Sequence, residues 1–215
     1  MIIDLSHRIT DGLRTYPGMA APRISTEVSY AETAARMAPG VSFRIDRLEL
    51  VGNTGTYLDT PAHFHPDGYD LAGLPLTRVV DVPAVVLDAT GGIGPDLLRD
   101  AGDLSDCAVL IHTGWSRHWG SEDYFVGHPF LTADLVAGLI AADPALVGID
   151  SLNIDDNTDP ARPAHHGLLG AGIPIIEHLT GLAALPPRGA RFTALPAPVA
   201  GMATLPVRAV AVIPD

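Results

Sequence analysis

The stretch Asn53-Thr54-Gly55-Thr56-Tyr57-Leu58-Asp59-Thr60-Pro61-Ala62-His63-Phe64-His65 decides how this chain is read. It holds a carboxylate, two imidazoles, an amide and a phenol, punctuated by Gly55 and Pro61. Folding alone does not require that density of ligand-type and acid/base groups. The segment just upstream, Val41 to Leu50, alternates apolar and polar residues as a half-buried strand does. The functional groups therefore sit on a loop held by a sheet, where binding and catalytic side chains concentrate. Gly55 permits tight backbone geometry or close approach to a ligand. Asp59 and His63 lie four apart, so they share a face on a helical turn or converge from a loop.

Working outward, a second cluster of the same chemistry lies about a hundred residues on. His165-His166-Gly167 and Glu177-His178 flank an apolar turn rich in glycine. A distant His and Glu completing a loop-borne Asp and His make a sensible donor set for a hard or borderline divalent ion. His165 and His166 are adjacent, so they point apart.

The framework between the clusters reads as mixed α/β. Ala84–Asp88, Ala108–Ile111, Leu146–Ile149 and Val207–Ile213 are short apolar runs suited to strands buried on both faces, and Arg191–Leu195 is a weaker candidate. Thr132 caps a helix over Ala133–Ala142 that Asp143-Pro144 ends, and Pro95 opens a short one before Asp100. No linker or repeat divides the 215 residues, so one domain over 1–215 is expected.

Composition narrows the partners. Hydrophobic residues make up 47%, enough for a sizeable core. A net charge of -12 and a pI near 4.9 repel phosphate backbones and anionic lipids, which argues against nucleic acid or membrane partners. The single cysteine, Cys107, sits in an apolar run, reads as a buried small hydrophobe, and excludes a multi-Cys metal site. Met1 to His7 has no basic start and only a short apolar run, so a cytoplasmic location is expected. There is no nucleophile elbow, phosphate-binding loop or dinucleotide fingerprint.

The order and spacing of several pieces resemble the cyclase family, which includes bacterial kynurenine formamidases and isatin hydrolase. The first cluster is similar to its H-x-G-T-H-x-D-x-P-x-H signature. Tyr16-Pro17-Gly18, His112-Thr113-Gly114-Trp115, Val147-Gly148-Ile149-Asp150 and His165-x-x-Leu168-Leu169 with Glu177 resemble its other landmarks. The resemblance implies a swivelling β/β/α fold, a homodimer or homotetramer, and hydrolysis of amide, formamide or lactam bonds with zinc or manganese. By position it implies Asp59, His165 and Glu177 as metal ligands and His63 as general acid/base. His65, Asn53 and Trp115 stand as candidates for substrate contact, with turn packing the first reading for His65. The chain departs from the pattern at two ligand positions, Asn53 and Tyr57, where the family has histidine. An amide oxygen is a weak ligand, and a phenol binds metal well only as phenolate. A binuclear site and kynurenine formamidase activity itself are therefore not expected.

Three readings follow. The first is a hydrolase of a small amide, lactam or ester with one divalent ion, zinc or manganese, on the remaining ligands. The second is a metal-independent cyclase, isomerase or dehydratase using Tyr57 and His63, with no cofactor. The third is a non-catalytic small-molecule binder. Around the site, His178 is expected to face solvent or an interface, His128 to mark a loop corner, and His7 to line the pocket or cap a turn. His112 has a structural or a substrate-contact role. Asp150, Asp155 and Asp156 read as solvated turn carboxylates, with Asp150 a candidate to orient a histidine. The polar segment Ser116–Phe125 reads as a surface loop or a cover over the site.

Overall fold

The short apolar runs line up as parallel neighbours. In the computed structural model, which describes residues 1–214, β5 (Val82–Asp88), β6 (Ala108–His112), β7 (Leu146–Ile149) and β8 (Ile175–Glu177) pair in parallel in that order. Their residues alternate between two cores, as the period of a strand dictates. Ala108, Leu110, Leu146 and Ile176 join Leu5, Leu58, Leu179 and Phe192 on one side. Val109, Ile111, Val147, Ile149 and Ile175 face two helices on the other, α2 (Ala133–Ala142) and α3 (Pro163–Gly170), through Leu135, Leu139 and Leu168. Each large aliphatic side chain buried this way stabilises the fold by about 1.5–3 kcal/mol. Gly148 belongs to β7 because a Cβ there would meet Leu179 Cδ1 at 2.7 Å.

Antiparallel strands extend this block on both sides. They are β1 (Ile2–Asp4), β4 (Tyr57–Asp59), β9 (Arg188–Leu195), β10 (Thr204–Pro206) and β11 (Arg208–Val212), and the nine-stranded order is β1-β11-β9-β5-β6-β7-β8-β4-β10. Only Val207 separates β10, the last strand of that order, from β11, the second, so the sheet curls around the first core. The result is strand-dominated mixed α/β, as the sequence implies. The strand expected at 191–195 begins earlier, at Arg188, and the short helix after Pro95 is a single 3₁₀ turn, Pro95–Leu98.

The largest departure is outside the sheet. Val41–Leu50 was expected to be half-buried; its regular part, β3 (Ile45–Glu49), is exposed at every residue. It pairs only with β2 (Arg23–Val28) in a two-stranded ribbon, so no sheet face covers it. The helix α1 (Tyr30–Ala34) between these strands is set by Ser29 and Glu32, which cap each other reciprocally. Thr33 ties the turn back by donating from Oγ1 to the Phe43 carbonyl at 2.7 Å. On α2 the cap works as expected, with Thr132 accepting from the Leu135 N–H.

Candidate functional site

The pleat of two short strands builds the floor of the site. β4 and β8 are antiparallel, with Tyr57 opposite Glu177 and Asp59 opposite Ile175. Side chains two apart share a face, so Tyr57, Asp59 and Glu177 point the same way while Leu58 enters the core. Gly55, at φ +67°, turns the chain into β4 where a Cβ would strike Ile9 Cγ1 at 2.8 Å. After Asp59 the chain makes one 3₁₀ turn, Pro61–His63, which brings His63 back toward the carboxylate. The first turn of α3 supplies His165. Asp59, His63 and His165 each offer one donor atom, all within 4.8 Å of one another.

The Asp59 carboxylate is fully buried, and neither oxygen has a hydrogen-bond partner among the described residues. His165 Nε2 lies 3.8 Å from it, beyond hydrogen-bond range. His165 Nε2 is also 3.7 Å from Glu177 Oε1. On its other side, His165 Nδ1 bonds Asp155 Oδ2 at 2.7 Å, which fixes the ring and turns Nε2 toward Asp59. Burial opposes a charge on His165, but Glu177, Asp155 and Asp59 outweigh it and push its pKa up to about 10. His63 sits at the exposed edge of the site, with its ring against Phe64 and His165. Partial desolvation holds it below the ordinary imidazole value against the pull of Asp59, so it is neutral at pH 7.

Glu177 is held quite differently. Its Oε2 accepts a short hydrogen bond from the Tyr57 hydroxyl, and its Oε1 accepts the Ile154 N–H at 2.6 Å. Burial raises the Glu177 pKa to about 7. Burial and the neighbouring Glu177 and Asp59 charges raise that of Tyr57 well above the ordinary phenol value. Tyr57 is thus a neutral phenol spent on Glu177 rather than a phenolate ligand. The implied triad of Asp59, His165 and Glu177 is therefore arranged with His63 nearer the first two, and with Glu177 already committed. A buried carboxylate lacking partners, beside two imidazoles, fits one divalent ion.

These groups line a cleft of about 310 Å³. Tyr16, Met19 and Phe64 form apolar walls, and Asn53, Asn153 and Arg162 add polar ones. Asn53 accepts from Thr204 Oγ1 at 3.3 Å. Two candidates for substrate contact are elsewhere. Trp115 lines a separate hollow with Thr90, Arg117 and Phe130, and its indole N–H donates to the Tyr124 carbonyl at 3.1 Å. His65 bonds the His166 carbonyl at 2.9 Å beside the Pro66–Gly68 turn, away from the cleft.

Several neighbouring expectations are corrected. His178 is fully buried, with Nε2 on the Leu152 carbonyl at 2.8 Å, and burial drives its pKa down to about 3. Asp150 and Asp155 are buried as well. Asp150 orients no histidine; it accepts the N–H groups of Thr113 and Gly114 and so fixes the turn after β6. Asp155 takes the histidine-orienting part and also accepts the Ala164 and His165 N–H groups that open α3. Its place could not be read from spacing, because it depends on the docking of a helix that the sequence conceals. Tyr124 and Trp119 of the 116–125 segment pack edge-on to His178, behind the floor rather than over the cleft.

Residues 3–156 match the Cyclase family. This chain belongs to it. The kynurenine formamidase of Salinibacter ruber is 32% identical over 97% of this chain and 96% of its own length. That of Geobacillus thermodenitrificans is 30% identical over 96% and 95%. Isatin hydrolase A of Labrenzia aggregata, solved with benzyl benzoate, shares the fold with a TM-score of 0.85 at 24% identity, covering 100% of this chain and 94% of that one. The named relatives of this cyclase-family chain are hydrolases, and it is a hydrolase-like enzyme of that family. No helix among the described residues is long and apolar enough to cross a membrane.

Proposed function

We propose that this cyclase-family protein hydrolyses a small amide, lactam or ester in the cleft, with a reduced, mononuclear metal site. The observation that carries the reading is the buried Asp59 carboxylate, unpartnered at both oxygens and facing His165 and His63. Asp59 and His165 would hold one zinc or manganese ion, leaving His63 beside it free of the metal, and the ion would supply Lewis acidity to a substrate carbonyl and to water. Formylkynurenine is not the substrate we favour, because Asn53 and the neutral Tyr57 replace two histidines that the family pattern places at metal.

The chain's own residues account for the proton traffic. Water adds to the carbonyl carbon, and a neutral imidazole at the cleft mouth accepts its proton. The same group returns that proton to the leaving nitrogen or oxygen as the C–N or C–O bond breaks. His63 suits this by its exposure and lowered pKa. Asp155 keeps His165 oriented, and Phe64 stacks on the His165 ring at 4.9 Å. The metal-independent reading loses support because the Tyr57 hydroxyl already donates its hydrogen bond to Glu177. A homo-oligomer is favoured by the uncovered ribbon, which exposes Ile24, Ile45 and Leu48, with Phe43 exposed just before β3.

The test is turnover of a panel of aryl amides, lactams and esters by wild type and His63→Ala. Hydrolysis that falls about 10²-fold or more in the variant supports the reading. A wild-type rate matched by His63→Ala, or isomerisation without water uptake, would overturn it.

A further inference from the structure

The chain has thirteen arginines and no lysine. Seven of the arginines, among them Arg14, Arg78 and Arg208, lie in ion-pair range of a carboxylate. Arg162 lines the cleft, half-buried, and has no carboxylate within ion-pair reach among the described residues. A cation left without a counter-ion in a cleft of a chain with net charge -12 is a feature that folding does not demand.

The guanidinium is positioned by neutral oxygens alone. Nη1 donates to Asn157 Oδ1 at 2.9 Å and to Asn153 Oδ1 at 3.3 Å, and Nη2 donates to the Asn157 carbonyl at 3.3 Å. Tyr16, which also lines the cleft, donates to the same Asn157 Oδ1 at 2.7 Å. The Asp155 N–H also donates to Asn153 Oδ1, at 2.9 Å. With its oxygen engaged twice, Asn153 keeps its amide N–H groups, which have no protein acceptor among the described residues. The Arg162 backbone is left-handed, at φ 45° and ψ 59°, a strained state for a side-chain-bearing residue. Arg162 stands just before α3, three residues from His165, so one helix end carries both the site's imidazole and this cation.

The geometry points to Arg162, with the Asn153 amide, as the anchor for a carboxylate on the substrate. The substrate class is then a small amide, lactam or ester that carries a carboxylate away from the scissile carbonyl. The planar guanidinium grips such a group while the apolar walls take its hydrocarbon part. The inference rests on reading this cleft as the hydrolytic site.

Two measurements separate the two claims. The first is the kcat/KM ratio of 3-acetoxybenzoate to its uncharged counterpart 3-acetoxybenzamide, in wild type, Arg162→Leu and Arg162→Lys. The ratio should fall by about tenfold or more in Arg162→Leu and recover in part in Arg162→Lys. Equal losses for both substrates, or no change, would mean that Arg162 only holds its loop. The second is calorimetric binding of benzoate and benzamide, which needs no turnover. Benzoate preference that Arg162→Leu abolishes supports the anchor even if neither ester is hydrolysed, and then only the hydrolytic reading fails. Benzoate bound no better than benzamide, or bound equally by Arg162→Leu, overturns the anchor.

Discussion

Asp59 and Glu177 stand 3.8 and 3.7 Å from the same imidazole nitrogen, yet the two sides of the floor are opposites. On the Glu177 side every oxygen is used, one by the Tyr57 hydroxyl and one by the Ile154 N–H. On the Asp59 side neither oxygen has a partner. Burying an unpartnered carboxylate costs several kcal/mol that the fold must offset elsewhere. The satisfied side behaves as framework. The unsatisfied side is the part of the molecule kept ready for something the chain itself does not supply.

Substitutions should split the two sides cleanly. Asp59→Asn should have the largest effect on turnover, a loss of about 10³-fold or more, with little or no loss of stability in metal-free protein. A fall in stability of more than about 2 kcal/mol in that state would mean that Asp59 is framework after all. Tyr57→Phe should do the reverse. It leaves Glu177 Oε2 without its donor and should cost about 1–3 kcal/mol in denaturant unfolding, while turnover changes far less than in Asp59→Asn. Loss of turnover in Tyr57→Phe to the level of Asp59→Asn would restore the phenol as a chemical group.

The contrast also sets a pH profile of stability. The pKa of His165 in the folded chain, about 10, lies above its ordinary 6.5, so between those values the folded state holds a proton that the unfolded state has released. Its contribution is full below pH 6.5 and is lost as pH rises toward 10. Glu177, raised to about 7 from 4.5, acts in the same direction through its own window. His7 and His178, pushed down to about 4 and about 3 by burial, act the opposite way, since below pH 6.5 the unfolded chain binds protons that the folded chain cannot. Metal-free protein should therefore melt highest near pH 6.5 and decline on both sides. The alkaline decline should flatten in His165→Gln; an unaltered slope would remove His165 from the charge balance.

Much of this was legible in the sequence. The apolar runs at 84–88, 108–111 and 146–149 announce buried strands because parallel strands covered on two faces need no alternation. Thr132 and Asp143-Pro144 bound α2 because capping is local chemistry. The alternating run before Leu50 misled, because alternation records a strand but not whether a sheet face covers it. The helix α3 was hidden: Pro163–Gly170 contains two glycines, and its start is supported by Asp155, eight residues before Pro163. The gathering of Asp59, His63 and His165 could be anticipated from residue type and family pattern. That Tyr57 engages Glu177 could not, because it depends on the register of β4 against β8. The Ser29–Glu32 capping pair is a sign of α1 that the sequence itself carries.

The most direct test of an unsatisfied Asp59 side is the metal content of chelator-washed protein reloaded with zinc or manganese, measured by mass spectrometry on wild type and Asp59→Ala. The arrangement of Asp59 and His165, with His63 beside them, predicts about one ion per wild-type chain and none in the variant. No bound ion in wild type, or the same loading in Asp59→Ala, would contradict it.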